Sequence, residues 1–252
     1  MYLLLKAAVW QYIWDEARWE ISGRRSVFIG HYGVAFAIKA KVPRLRLGVL
    51  FLAVQALDIM FALFLLFGFE HMRVVPNTSH NIYDTFQLYD MHLSHSLLGT
   101  LGWSAITVLV ARLRLPWKES IFLGLAVFSH FVLDIPMHPN DAHHAPDLRI
   151  AGHGSPGIGL GLWNHPVLAV LAELSTFLLG AAMFARATWP LRLRYWVLIS
   201  ILATFALLPL FIPPSGTEVS FAVQILAMTG LIAFWANWVD SPQSKADQRR
   251  TL

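Results

Sequence analysis

Six ionisable residues sit inside long apolar runs of this chain: His31, Asp58, His92, His95, His130 and Asp134. Asp90 and His138 stand at the ends of the same runs. Charged or titratable groups are costly in an apolar surround, so each one is a candidate for function. Their spacing adds to this. His130 and Asp134, in SHFVLD, are four apart and share one face of a helix. That arrangement suits joint coordination of a metal, or a histidine oriented by a carboxylate. His92 and His95, in DMHLSHS, are three apart and also share a face. His31 lies in GHYG, where a glycine on each side permits close approach by another helix. Asp58, in an apolar QALDIMF run, needs a cation, a proton or a metal, because burying it unpaired is expensive.

The chain has no cysteine, which excludes thiolate zinc sites, iron–sulfur clusters, disulfides and cysteine nucleophiles. A metal site must therefore draw on the 11 histidines and 15 acidic residues. His143, His144, His153 and His165 read as ordinary loop or interface histidines, and GIGLG at 157–161 reads as flexible loop. That glycine run lacks the strand-to-helix context of a dinucleotide fingerprint.

The elements that position these groups are set by composition. Of 252 residues, 56% are hydrophobic and only 13% charged, where a soluble domain carries about 25%. The missing polar surface implies lipid. Ten tryptophans and 17 phenylalanines fit aromatic anchoring at membrane interfaces. The net charge of +4 is explained by basic loops that set orientation, and no basic patch interleaved with aromatics points to nucleic acid.

The expected fold class is all-α: a polytopic transmembrane helical bundle. Spans of about 20 apolar residues fall at 45–69, 91–113, 120–137, 166–188, 191–212 and 219–239, six in all. A shorter segment at 27–40 either half-inserts or spans with help from its ends, and residues 1–26 form an amphipathic N-terminal segment. The organisation is then a helical core over 27–140, a loop over 141–165, further transmembrane helices over 166–240 and a tail over 241–252. Basic loops (Lys39 to Arg46; Arg112 to Lys118; Arg186 to Arg194; the tail) alternate with non-basic ones. The positive-inside rule places the basic loops and the C-terminus in the cytoplasm and loops 70–90 and 138–162 outside, in the periplasm of a bacterial inner membrane.

The ordered set His31 in GHYG, Asp58 in LDIMF, His95 in LSHSLLG, and His130 with Asp134 in SHFVLD resembles the YdjM-like family of LexA-regulated inner-membrane metal-dependent hydrolases. The resemblance covers roughly residues 27–140. Ile59 and Met60 follow Asp58 where the family places a second acid, Asp90 stands where the family has histidine, and Ser94 replaces threonine. The resemblance implies a divalent metal, zinc with manganese as the alternative, on His31, Asp58, His95, His130 and Asp134. Asp90, His92 and His138 are then candidates for general base or for support of the ligands. The implied substrate is a lipid or phosphoester at the outer face. The competing expectation is a non-catalytic subunit of a membrane complex, holding a structural metal or none. Haem between His95 and His130 fits less well, because Asp90 and Asp134 favour a hard metal.

Overall fold

The computed structural model describes residues 29–74, 86–140, 148–207 and 217–241. The amphipathic segment expected over 1–26 and most of the tail lie outside the described residues. The described chain is mostly helical: α1 (Gly30–Lys41), α2 (Leu47–Val54), α3 (Ala56–Phe67), α4 (Leu97–Arg112), α5 (Trp117–Met137), α6 (Pro166–Ala187), α7 (Leu193–Phe205) and α8 (Glu218–Val239). Strands β1 (His71–Val74) and β2 (Phe86–Asp90) form an antiparallel hairpin after α3, and β3 (Leu148–Arg149) and β4 (Gly157–Ile158) form a second, shorter one.

Among the described residues, three helices are long and apolar enough to cross a membrane: Trp117–Met137, Val167–Ala187 and Glu218–Val239. Helices α2 and α3 count as a fourth span if taken together, but they bend by 58° at Gln55. The six expected spans are not met. At 1.5 Å per residue, the 16 residues of α4 reach about 24 Å and the 13 of α7 about 20 Å, short of a hydrocarbon core of about 30 Å. Part of what reads as one apolar run at 91–113 is the turn that precedes α4. The long helices still present large apolar side chains outward, among them Leu171 and Leu179 on α6 and Leu231 and Phe234 on α8. Such surface requires a covering of lipid or protein.

Helix α1 is the buried axis of the fold. Its 12 residues bury both faces, with Ala35 and Phe36 fully enclosed. It lies against α6 at backbone contact: a Cβ on Gly180 would stand 1.8 Å from the Gly33 carbonyl, and one on Gly33 would stand 2.4 Å from that of Thr176. Phe36 packs between Phe51, Phe177 and Phe184, joining α1, α2 and α6 in one aromatic core. At the C-terminal end of α1 the buried Lys39 ammonium donates to Asp240 at 2.7 Å and to the carbonyls of Pro43 and Leu45, each at 2.9 Å. Asp240 also accepts from Tyr195 on α7 at 2.9 Å and from the Leu47 amide at 3.0 Å. This latch gathers four helices at the end of the bundle opposite the β1–β2 hairpin.

The segment 157–161, expected as flexible loop, is packed instead. Leu160 and Gly161 donate their amides to Ile135 and His138 at 2.9 Å each, so the strip hooks onto the end of α5. Pro136 sits within that last turn. A Cβ on Gly159 would fall 2.2 Å from the His138 carbonyl, and Gly161 adopts φ 69°, so glycine is required at both positions.

Candidate metal centre

The break between α2 and α3 builds one wall of the site. Val54 ends α2, and its carbonyl is one of those a helix C-terminus leaves unclaimed. His130 Nδ1 lies 2.6 Å from that oxygen. A carbonyl only accepts, so Nδ1 carries the proton and the Nε2 lone pair faces the other way. Asp58 stands in the first turn of α3, where the helix dipole favours a carboxylate. His31 comes from the first turn of α1 and His95 from the turn before α4; His130 and Asp134 lie one turn apart on α5.

The five side chains meet. His31 Nε2 lies 3.3 Å from Asp134 Oδ1, and His130 Nε2 lies 3.3 Å from Asp134 Oδ2. Asp58 Oδ1 lies 3.5 Å from His95 Nε2 and 3.6 Å from His130 Nε2, and His95 Nε2 lies 3.9 Å from Asp134 Oδ2. Two triads, His31–His130–Asp134 and Asp58–His95–His130, each place their donor atoms within 4.8 Å of one another and share His130. Four of the five side chains are at most 3% exposed, and Asp58 is 11% exposed.

These buried His/Asp groups could hold a metal ion, and two physical features favour one. With bonds of about 2.0–2.2 Å, ligand atoms around a tetrahedral ion stand about 3.3–3.6 Å apart, which matches most of the separations. With its proton on Nδ1, His130 also turns its other nitrogen toward the Asp134 carboxylate, and two lone pairs facing each other call for a proton or a metal ion between them. Two carboxylates and three neutral imidazoles carry −2, which one divalent ion balances.

His95 is oriented by a relay that the sequence reading missed. Glu70, fully buried, accepts from the amides of Leu93 and Ser94 at 2.7 and 2.8 Å and from the Ser94 hydroxyl at 2.7 Å. The hydroxyl proton is thereby committed to Glu70, and the Ser94 oxygen accepts from His95 Nδ1 at 2.8 Å. The proton again sits on Nδ1 and Nε2 faces the cluster. Glu173 on α6 was missed as well. It is buried, accepts from the first amide of α1 (Gly30 to Oε2, 2.5 Å), and lies within electrostatic reach of His31. It is a lone acid within an apolar run, the same signal that singled out Asp58.

Asp90, His92 and His138 lie outside the five-residue cluster. His138 ends α5, one turn beyond Asp134, buried against the Trp163 ring at 4.1 Å and within electrostatic reach of Asp134. Asp90 and His92 pair with each other at 2.6 Å and gather with His153, which the sequence reading took for a loop histidine.

No family model, no curated protein and no solved structure matches this chain.

Proposed function

We propose that the chain is a membrane-embedded, metal-dependent hydrolase of the YdjM-like kind, acting on a lipid or phosphoester at the periplasmic face of a bacterial inner membrane. The observation that carries this reading is the convergence of three imidazoles and two carboxylates from four separate parts of the chain, with the nitrogens of His95 and His130 turned inward by hydrogen bonds behind them. The ligands would be drawn from His31, Asp58, His95, His130 and Asp134, and either triad around a four-coordinate ion would leave a position for water, with zinc the best match to this thiol-free set and manganese the alternative. A divalent ion bound there supplies a Lewis acid and acidifies water at neutral pH. His138, on the same helix as two ligands, is the proton acceptor in this scheme; Asp90 and His92 sit further out. The alternation of basic and non-basic loops supports the orientation, with the Lys39–Asp240 end cytoplasmic.

The test is turnover of a panel of phosphoesters and lipids by purified protein, wild type beside His130→Ala and Asp134→Ala, with metal content and folding measured on each. Loss of turnover and metal in a folded variant is expected. Unchanged turnover in either variant removes the assignment.

Two observations favour a second reading. The cluster is almost closed to solvent, and Ile59 stands where the resembling family has a second acid. A non-catalytic subunit with a structural metal accounts for both. Metal at full occupancy with a co-purifying membrane protein, and no turnover, selects this alternative.

A further inference from the structure

We propose a second divalent-cation site, open to solvent and separate from the buried centre, formed by Asp90, His92 and His153. The three donors come from three places in the chain: the end of β2, the turn after it, and the loop between β3 and β4. Asp90 Oδ1 lies 2.6 Å from His92 Nδ1 and 3.4 Å from His153 Nε2, and the two imidazole rings stand 4.2 Å apart. All three offer a ligand atom within 4.8 Å of the others. Two histidines and one carboxylate form a donor set that suits zinc and its neighbours, with remaining positions left to water. His71 is the cross-strand partner of Asp90 in the β1–β2 ladder, so a further imidazole-bearing residue sits at the same edge.

Exposure sets this site apart. The His153 side chain is 66% exposed, whereas the buried ligands are nearly inaccessible. An ion here exchanges freely with solvent. Binding it means the proton shared by His92 and Asp90 gives way to the cation, and their separation opens from 2.6 Å to about 3.3 Å. Such a rearrangement is small for a pair that is only partly buried at the end of a hairpin. The site also lies next to the buried one along the chain. Leu93 and Ser94, whose amides Glu70 holds, are all that separate His92 from His95. The geometry thus fits a capture site that concentrates metal one turn away from the buried ligands.

The experiment is equilibrium binding of Zn²⁺ to the full-length protein in detergent, followed by a chelator chase that separates fast- from slow-released metal. Wild type is expected to hold one fast equivalent. His153→Ala and Asp90→Asn are expected to weaken that equivalent at least as much as loss of a supporting partner does, about 10–100-fold, while the slow fraction stays as in wild type. His130→Ala is expected to do the reverse, losing slow metal and keeping the fast equivalent. His153 is exposed, so its replacement leaves the fold intact. The absence of a fast equivalent in wild type, or equal binding of it by wild type and His153→Ala, overturns the proposal whatever happens to the buried ion.

Discussion

Replacing Ser94 by alanine is a sharp probe of how the buried centre is tuned, because Ser94 is not a ligand. Its hydroxyl is fully buried, donates to Glu70 at 2.7 Å and accepts from His95 Nδ1 at 2.8 Å. Alanine leaves the imidazole N–H without an acceptor in a place water does not reach. An unsatisfied buried donor costs about 1–3 kcal/mol. His95 escapes that cost only by rotating, or by moving its proton to Nε2, and either change withdraws the nitrogen that lies 3.5 Å from Asp58. If the cost falls on the metal-bound state, affinity for zinc drops about 5- to 150-fold. Competition against a chelator of known affinity reads this directly, with thermal unfolding in detergent reporting whether the fold has suffered instead. Ser94→Thr keeps the hydroxyl and is expected to retain wild-type affinity. Equal zinc affinity in Ser94→Ala and wild type would refute the claim that the Glu70–Ser94 relay fixes the His95 tautomer.

Removing metal is expected to destabilise the wild-type protein. An ion present at one hundred times its dissociation constant contributes about 2.7 kcal/mol, so chelation lowers the unfolding midpoint by about 5–10 °C, and it leaves Asp134→Ala unaffected. Gly180→Ala pushes a methyl carbon to within 1.8 Å of the Gly33 carbonyl, forcing α1 and α6 apart. The expected loss is at least the 1–3 kcal/mol typical of overpacking, read as a lower melting temperature or an aggregated profile on size exclusion. Asp240→Ala strips the buried Lys39 ammonium of its carboxylate, and a broken buried pair costs about 3–5 kcal/mol in thermal or denaturant unfolding.

Much of the site was legible because its chemistry conflicts with its surroundings. His130 and Asp134 stand out as polar groups at helical spacing in an apolar run, and hydropathy alone marks Asp58. The same rule applied evenly would have found Glu173, which lies in a stretch outside the resemblance and was read only as an apolar helix. Glu70 was harder. It follows α3 at the start of a loop, and only the hairpin brings it back over the 93–95 turn. The helix count failed for a different reason. An average over 91–113 cannot see that Ser96 is an N-cap whose side chain accepts from the Gly99 amide, so it merges a turn with the short helix that follows. Gln55 did carry a sign of the α2–α3 break, being a polar residue at the middle of the 45–69 run. His153 carried none, since its neighbours Asp90 and His92 lie some sixty positions earlier.

The seating of α1 on α6 also sets an order of events at the ribosome. Gly30 and the Glu173 carboxylate that accepts its amide are 143 residues apart. At about 5–20 residues per second, the helix carrying His31 waits about 7–30 s for its other wall to be made. During that interval every ligand from His31 to Asp134 has emerged, while the first of them lies against no partner from α6. Assembly of the centre is therefore a late step, and a nascent chain stalled before α6 carries all five ligands without the floor that aligns them.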